Sequence, residues 1–177
     1  NEENRDFHPV RIGIGINTGE CVVGNMGSDK RFDYSVLGDP VILAARLEGQ
    51  SKNYGVDIVI GEETEKVLSE WATIELDLIA VKGKAEAVRI FALMGDIEKN
   101  NSPEFKDISS LNEKMLSSYR AKDWDNAELF IKENLEKAKI SNIDLSVLYD
   151  LYIERIASYR QTPPPEQWDG VFVATSK

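Results

Sequence analysis

The stretch that most constrains the fold is residues 31–55, RFDYSVLGDPVILAARLEGQSKNYG, which is predicted to form a strand, a tight turn and a helix. Aromatic and β-branched residues fill its first part, as is typical of a strand. Asp39 is predicted to cap the helix with its carboxylate, and Pro40 is tolerated in a first helical turn. Gly55 is predicted to end the helix. Because Arg46 stands among apolar residues of this helix, it is a candidate functional residue.

Charge and residue counts argue against several classes of function. The formal net charge of −10 disfavours nonspecific nucleic-acid binding, which needs a basic surface. Cys21 is the only cysteine and His8 the only histidine, so there is no internal disulfide, and histidine-rich metal sites and Ser-His or Cys-His catalysis are disfavoured. We expect a reducing compartment and a cytoplasmic location. No apolar run approaches the roughly 20 residues that span a bilayer.

A strand is predicted over residues 10–18, where isoleucines alternate with glycines and polar residues. The glycines indicate that another element packs closely against their face of the strand. Further elements are predicted downstream in this order: a strand at 56–60, a helix at 61–70, and strands at 74–81 and 87–93 joined by the hairpin KGKAEA. This order of elements predicts an α/β (α+β) fold.

The composition becomes polar after residue 95, in GDIEKNNSPEFKD. This change predicts a linker at residues 96–108 between a domain at residues 1–95 and a helical extension at residues 109–177. Three helices are predicted in the extension. The first begins at Ser110 and the second near Asp125. The third is predicted from apolar residues at helical spacing over residues 145–159, and it ends at the prolines of residues 163–165.

The first two of these helices resemble a tetratricopeptide helix-turn-helix, although one unit is too little for a solenoid. A helical cap over the first domain is the favoured interpretation, and a peptide-binding groove is the alternative. Trp168 and Phe172 are predicted to dock the extended C-terminus onto these helices.

Three local features allow more than one interpretation. The segment GNMGS could form a phosphate cradle, but it lacks the Walker spacing, and a plain hairpin turn is favoured. The lysines of the predicted hairpin, Lys82 and Lys84, could bind phosphate or simply occupy a solvated turn. Arg46 could form a surface ion pair with Glu48 or Asp39, or could face an approaching ligand.

Several of these motifs together resemble one known family. The strand RIGIGINTG, the turn YSVLGDPV, the AAR of the helix and the VKGK of the hairpin occur in the order found in class III adenylate/guanylate cyclase catalytic domains. The resemblance covers about residues 10–95 and corresponds to the C-terminal half of that domain. It implies a ferredoxin-like palm sheet, of which this chain holds the C-terminal half. The helical extension resembles that of bacterial cyclases with an upstream sensor, which implies membrane attachment only through upstream segments.

The resemblance implies roles for individual residues. Ser35 matches the position that selects the base, where a serine suits adenine, so ATP is the expected substrate. Arg46 matches the arginine that stabilises the transition state as cyclic AMP forms and pyrophosphate leaves. Lys82, or as a second choice Lys84, matches the lysine that holds the triphosphate, and Lys30 is an assisting candidate.

The resemblance also implies a homodimer with active sites at the subunit interface and two Mg²⁺ or Mn²⁺ ions. The metal-binding aspartates are expected in an N-terminal half that precedes residue 10, so no metal ligand is assigned in this chain, and the chain alone is expected to be inactive. An incomplete sheet leaves an edge open, which predicts a dimer or a swapped assembly.

One position departs from the family pattern. Ile42 lies where the family usually has an asparagine that orients the ribose, one helical turn before Arg46. Two alternatives to an active adenylate cyclase therefore stay open. The first is a catalytically weak or inactive dimerisation or regulatory module, and the second is an interaction adaptor that works through its helical extension.

Overall fold

The structure is a computed structural model that describes residues 10–28, 30–80 and 87–173. The described residues up to 95, which we call the first region, contain six strands and two helices. The described residues after 95, which we call the helical region, contain four helices and one short strand. In chain order the elements are β1 (Ile14–Ile16), β2 (Val22–Ser28), β3 (Arg31–Leu37), α1 (Asp39–Tyr54), β4 (Ile58–Gly61), α2 (Glu62–Val67), β5 (Ala72–Ala80), β6 (Ala87–Gly95), α3 (Ile97–Asn101), α4 (Pro103–Arg120), α5 (Trp124–Ile140), α6 (Ser146–Gln161) and β7 (Phe172–Val173).

The main sheet has the strand order β1-β4-β6-β5-β7. β1 and β7 run parallel to their neighbours β4 and β5, whereas β6 is antiparallel to both β4 and β5. The fold is therefore α+β with a mixed sheet and a helical C-terminal region, which confirms the predicted fold class. In the described part of the chain, β1 pairs on one side only, so it forms an open edge of this sheet.

Strand β1 packs its glycine face against helix α1. A Cβ atom on Gly15 would lie 2.1 Å from the Ala44 carbonyl oxygen, and one on Gly13 would lie 2.1 Å from the Ser51 hydroxyl. The prediction that another element approaches the glycines closely is confirmed. The strand is shorter than the predicted 10–18, and its isoleucine face is the open one, because Ile12, Ile14 and Ile16 are 69%, 43% and 39% exposed.

The predicted hairpin is present, but the turn predicted at GNMGSDK begins later than its glycines, because residues 24–28 belong to strand β2. β2 and β3 form an antiparallel hairpin of their own, in which Gly24 pairs with Ser35 and Ser28 pairs with Arg31. The reversal of the chain therefore falls after Ser28. A glycine-rich segment can continue as a strand when a partner strand supplies its hydrogen bonds, so the glycines were a misleading turn signal.

Helix α1 begins without the predicted side-chain cap. Gly38 is the N-cap residue, and its carbonyl accepts from the amides of Val41 and Ile42. Asp39 is the first helical residue, so it can interact with the helix dipole but does not bond to an orphan amide. Gly55 ends the helix in the left-handed conformation, with φ of 69°, as predicted.

Two helices, α3 and α4, occupy the segment that was predicted to be a linker. The predicted helix start at Ser110 is wrong: α4 begins at Pro103, and the Ser102 hydroxyl accepts from the Phe105 amide as its cap. Serine followed by proline is an N-terminal signal that outweighs the polar composition here. The division into residues 1–95, 96–108 and 109–177 stays a prediction.

The helical region and the sheet share one hydrophobic core. Its buried cluster joins residues of α1, β5 and β6 to residues of α4, α5 and α6. Polar bonds reinforce this junction, since the Asn112 amide donates to the Glu75 carbonyl and the Tyr152 hydroxyl donates to the Leu76 carbonyl. No helix in the described ranges combines the length and the apolar character that crossing a membrane requires.

The C-terminal segment after α6 docks at two places. Trp168 packs among Tyr119, Trp124 and Tyr159, with ring centroids 5.2–6.2 Å from its own. This confirms the predicted docking of Trp168 on the helices. Phe172 pairs through its backbone with Ile79 of β5, and its ring lies 3.5 Å from the Arg155 guanidinium carbon of α6, so it contacts both the sheet and the helices.

Candidate active site

The predicted site residues lie in consecutive elements of the first region. Ser35 is in β3, and Ile42 and Arg46 are in α1, which follows β3 directly through Gly38. Lys30 is exposed and immediately precedes β3. Lys82 and Lys84 fall within residues 81–86, outside the described residues. Among the described residues no hydrogen bond joins Ser35 to Arg46, and the two residues lie in consecutive elements of the chain.

Ile42 and Arg46 share the side of α1 that faces away from the core. Leu43 and Leu47 are buried beneath the helix, whereas Ile42 is 51% exposed and Arg46 is half-buried. This follows from the spacing, since residues four apart in a helix lie on one face. Within the described residues the Arg46 guanidinium has no ion pair or hydrogen bond, so the pair with Glu48 or Asp39 that the sequence allowed is not formed there.

The Ser35 hydroxyl already makes one hydrogen bond, in which it is the donor. Its Oγ donates to the Asp33 carbonyl at 3.2 Å, which uses the single hydroxyl proton and leaves oxygen lone pairs that can accept. Its cross-strand partner is Gly24, and no atom lies within 4 Å of where a Gly24 Cβ would be. Directly paired residues project on the same face of a hairpin, so there is open space beside the hydroxyl.

The described residues do not present a metal site. In the described ranges, no three His, Cys, Asp or Glu side chains are grouped as metal ligands would be. The nearest acidic side chains have other surroundings: Asp33 pairs with Arg31 at 3.5 Å, and Asp39 lies in the first turn of α1. Two Mg²⁺ or Mn²⁺ ions do not fit the donors present here, and the residues predicted for this part of the site are Ser35, Ile42 and Arg46.

A buried polar cluster beneath the site was not predicted. Arg155 Nη1 lies 2.6 Å from Asp77 Oδ2, and the Tyr54 hydroxyl donates to the same carboxylate oxygen at 2.7 Å. Asp77 and the Arg155 side chain are only 1% and 8% exposed. Burial, together with the Asp77 charge, raises the pKa of Tyr54 far above its ordinary value, so Tyr54 stays a hydrogen-bond donor. We call Asp77, Arg155, Tyr54 and Tyr152 the Arg155 cluster.

Burial opposes the charged form of Arg155, but Asp77, Tyr54 and Tyr152 together outweigh the effect of burial and raise the pKa of the guanidinium. The signal that could have revealed the cluster is a carboxylate in the apolar strand sequence LDLIAV and an arginine in the apolar stripe of α6. Either charge alone would be costly in a core, so each needs a partner.

Comparison with known proteins identifies the first region. The family model described as "Adenylate and Guanylate cyclase catalytic domain" matches residues 1–95, which is more than half of the chain. An adenylate cyclase of Anabaena cylindrica is 42% identical over 86 residues, which are 46% of this chain and 17% of that protein. The terminal-differentiation-specific adenylate cyclase of Dictyostelium discoideum is 37% identical over 92 residues, which are 50% of this chain and 4% of that protein.

Among solved structures, an adenylyl cyclase from P. aeruginosa is 37% identical with a TM-score of 0.41, covering 46% of this chain and 41% of that one. The chain thus spans less than a fifth of the length of the two curated relatives above. The family match includes strands β1 to β6 and helix α1, and these elements lie in the part of the sequence that resembles the family. The chain therefore belongs to the adenylate and guanylate cyclase catalytic domain family.

Proposed function

We propose that this chain is the base-recognising and transition-state-stabilising half of an adenylate cyclase that converts ATP to cyclic AMP and pyrophosphate. The observation that carries the proposal is the state of Arg46. It is a half-buried arginine on the outer side of α1, and no described residue neutralises it. The identity to adenylate cyclases of two organisms supports the choice of reaction.

Arg46 would act by stabilising charge. In the reaction the ribose 3′-oxygen forms a bond to the α-phosphorus, the bond to pyrophosphate breaks, and the 3′-hydroxyl proton is released. Negative charge develops on the oxygens around phosphorus and on the leaving group. A guanidinium offers five donors in a fixed plane and does not lose its proton, so it can stabilise this charge without chemistry of its own.

Ser35 would select the base by accepting a hydrogen bond. Because its proton is donated to the Asp33 carbonyl, the hydroxyl oxygen is left as an acceptor. The exocyclic amino group of adenine is a donor, whereas guanine presents a carbonyl at the same position. A serine hydroxyl that offers its oxygen in this way would favour ATP over GTP.

We propose that the working form is a homodimer. The β2–β3 hairpin exposes large apolar side chains on both strands, including Val22, Phe32, Tyr34 and Leu37. A patch of this kind on a soluble protein marks an interaction surface. Light scattering of the chain at high concentration measures this directly, and a monomer would contradict it.

Ile42 favours a second candidate function. Its half-exposed side chain offers no hydrogen bond to a ribose, although it is one turn from Arg46. Losing one oriented donor typically reduces a rate by about 10²–10³. The alternative is therefore a weak or inactive cyclase-like module that serves dimerisation or regulation. In a protein extended upstream to include the metal-binding half, Ile42→Asn should raise the rate strongly if the enzyme is weak, and no cyclic AMP from either form would indicate an inactive module.

The main experiment replaces Arg46 in the same extended protein. Arg46→Ala should lower the rate of cyclic AMP formation by at least about 100-fold, because no arginine then stabilises the negative charge that develops on the oxygens around phosphorus. Lys52→Ala is the matched control, since Lys52 is a cation in the last turn of the same helix. An unchanged rate in Arg46→Ala would show that Arg46 is structural. The 177-residue chain alone should give no turnover with Mn²⁺ and ATP, and turnover above background would refute the division of the site.

A further inference from the structure

We propose that Arg155 is a positioning residue for helix α1, through which the helical region and the C-terminal tail set the placement of Arg46. The physical coupling is independent of the enzyme's reaction, whereas its catalytic consequence rests on the proposed function. Nothing in the catalytic-domain match, which ends at residue 95, includes α6 or the tail.

The Arg155 cluster joins three elements at one buried point. Asp77 comes from β5, Arg155 from α6, and Tyr54 is the last residue of α1. Tyr54 donates to Asp77 at 2.7 Å, and Arg155 reaches both Asp77 at 2.6 Å and the Tyr54 hydroxyl at 3.4 Å. The carboxylate is thus shared between the catalytic helix and the C-terminal helix.

A second contact holds the same end of α1 against α6. A Cβ atom on Gly55, which ends α1, would lie 2.4 Å from Val147 Cβ near the start of α6. The left-handed turn at Gly55 therefore sits directly on α6. Tyr54 and Gly55 together fix the C-terminal end of α1 to the helical region, two turns beyond Arg46.

The tail closes the cluster from the other side. The Phe172 ring lies 3.5 Å from the Arg155 guanidinium carbon, in a cation–π contact. Strand β7, which contains Phe172, pairs with Ile79 and Ala80 just before the segment that carries Lys82 and Lys84. Lys122 anchors the start of the tail by donating to the Pro165 and Glu166 carbonyls. The tail therefore contacts the cluster and the strand leading to the predicted phosphate-binding lysines.

These contacts explain why a charged pair is kept in the core. A buried ion pair is rarely needed for stability, because apolar residues of similar size often serve as well. It does impose one geometry, since each charge must keep its partner. In this chain the geometry imposed is that of α1 relative to β5 and α6. Movement or release of α6 or of the tail would then be transmitted to α1, which makes the C-terminal region a regulatory input.

The decisive variant is Tyr54→Phe, which cuts α1 from the cluster and leaves the Asp77–Arg155 pair intact. The matched control is Tyr149→Phe, which removes an equally buried, hydrogen-bonded hydroxyl that bonds Asn112 and Asn134 instead. Amide hydrogen exchange over residues 47–54 is measured in the 177-residue chain. We expect exchange there to be about tenfold faster in Tyr54→Phe, and changed by less than about twofold in the control. Equal exchange in the two variants would overturn the proposal.

A second variant separates positioning from stability. The triple substitution Tyr54→Phe, Asp77→Leu and Arg155→Met removes both charges together with the hydroxyl that would otherwise lose its acceptor, and should unfold at nearly the wild-type urea concentration. If Arg155 positions α1, exchange over residues 47–54 is still about tenfold faster than in wild type. If the ion pair has only a structural role, amide exchange over residues 47–54 in this variant equals that of wild type, and the proposal fails.

The catalytic consequence of the proposal is tested by measuring cyclic AMP formation in the extended protein. Tyr54→Phe should lower kcat with little change in KM, since Arg46 acts in the transition state, and Tyr149→Phe should leave both unchanged. Faster exchange together with an unchanged kcat would overturn the positioning role. If the wild-type extended protein forms no cyclic AMP, the proposed function fails, while the exchange data still decide whether α6 is coupled to α1.

Discussion

The close approach of β1 to α1 makes Gly15 the most sensitive position near the candidate site. A Cβ atom there would lie 2.1 Å from the Ala44 carbonyl oxygen, 2.3 Å from the Glu48 amide nitrogen and 2.9 Å from the Glu48 α-carbon. All three atoms are backbone of α1, on either side of Arg46. No side-chain rotation can relieve the overlap, so Gly15→Ala must move the backbones of β1 and α1 apart.

The size of that displacement follows from the distances. Ordinary contact begins at 3.4 Å, so β1 and α1 must separate by ~1.3 Å at Ala44. Overpacking of this kind typically costs about 1–3 kcal/mol of the free energy of unfolding. Under the proposed function, a shift of about 1 Å in a catalytic group can also lower the rate by roughly 100-fold.

Gly13 supplies the matched comparison. A Cβ atom on Gly13 meets the Ser51 hydroxyl at 2.1 Å, and the next atoms lie at 3.1 and 3.3 Å. Gly13→Ala should therefore be largely rescued by adding Ser51→Ala, whereas Gly15→Ala has no such rescue. Urea unfolding is the assay, and a loss of about 2 kcal/mol shifts the midpoint by roughly 1 M when the slope is near 2 kcal/mol/M. If Gly15→Ala unfolds at the wild-type midpoint, the described packing of α1 is wrong.

Three further outcomes are expected. Burial raises the pKa of four of the six tyrosines, so the folded state keeps phenol protons that the unfolded chain loses near pH 10. The free energy of unfolding should then fall above about pH 10, by up to about 5 kcal/mol per pH unit, and thermal melts between pH 8 and pH 11 without such a drop would contradict this. Gly49→Ala should stabilise α1 by about 0.5–1 kcal/mol, because the new methyl group meets no atom within 4 Å. Gly55→Ala should destabilise the protein by more than that, because Gly55 has φ of 69° and lies against Val147. Equal denaturant midpoints for the two variants would contradict both expectations. Asp123→Ala, which removes the cap of α5 at the Asn126 amide, should lower the free energy of unfolding by about 1 kcal/mol in the same assay.

Elements with a clear period could be predicted from the sequence. β5 and β6 lie where apolar composition predicted strands, and α6 follows its apolar stripe up to the prolines. Gly55 was a reliable stop, because the left-handed turn it adopts costs other residues more. In each case the information lies within one short window of the chain.

Features set by a partner segment could not be predicted in this way. Residues 24–28 were predicted to belong to a turn, because their pairing with β3, rather than their composition, makes them part of strand β2. The alternation in β1 was correct, but it does not tell which face is covered. The glycine face is the one that meets α1, and only the position of the helix decides this.

The candidate site was predicted through the family resemblance, which the family model confirms for residues 1–95. The roles of Ser35, Ile42 and Arg46 are still predictions. The Arg155 cluster could not be predicted, because 78 residues separate Arg155 from Asp77. A sequence shows that a carboxylate stands in an apolar strand, but it does not show which of many cations will pair with it.

That separation has a consequence for how the chain is made. A ribosome adds about 5–20 residues per second, so roughly 4–16 s pass between the synthesis of Asp77 and that of Arg155. During this interval the nascent sheet holds a carboxylate in an apolar strand with no guanidinium to meet it, and β5 has not yet acquired β7. The region matched by the family model therefore completes its core only after the helices that follow it have been synthesised. A chain that stops before α6 should reach the cell's quality-control machinery as an unfinished sheet, even though every residue matched by the family model is present.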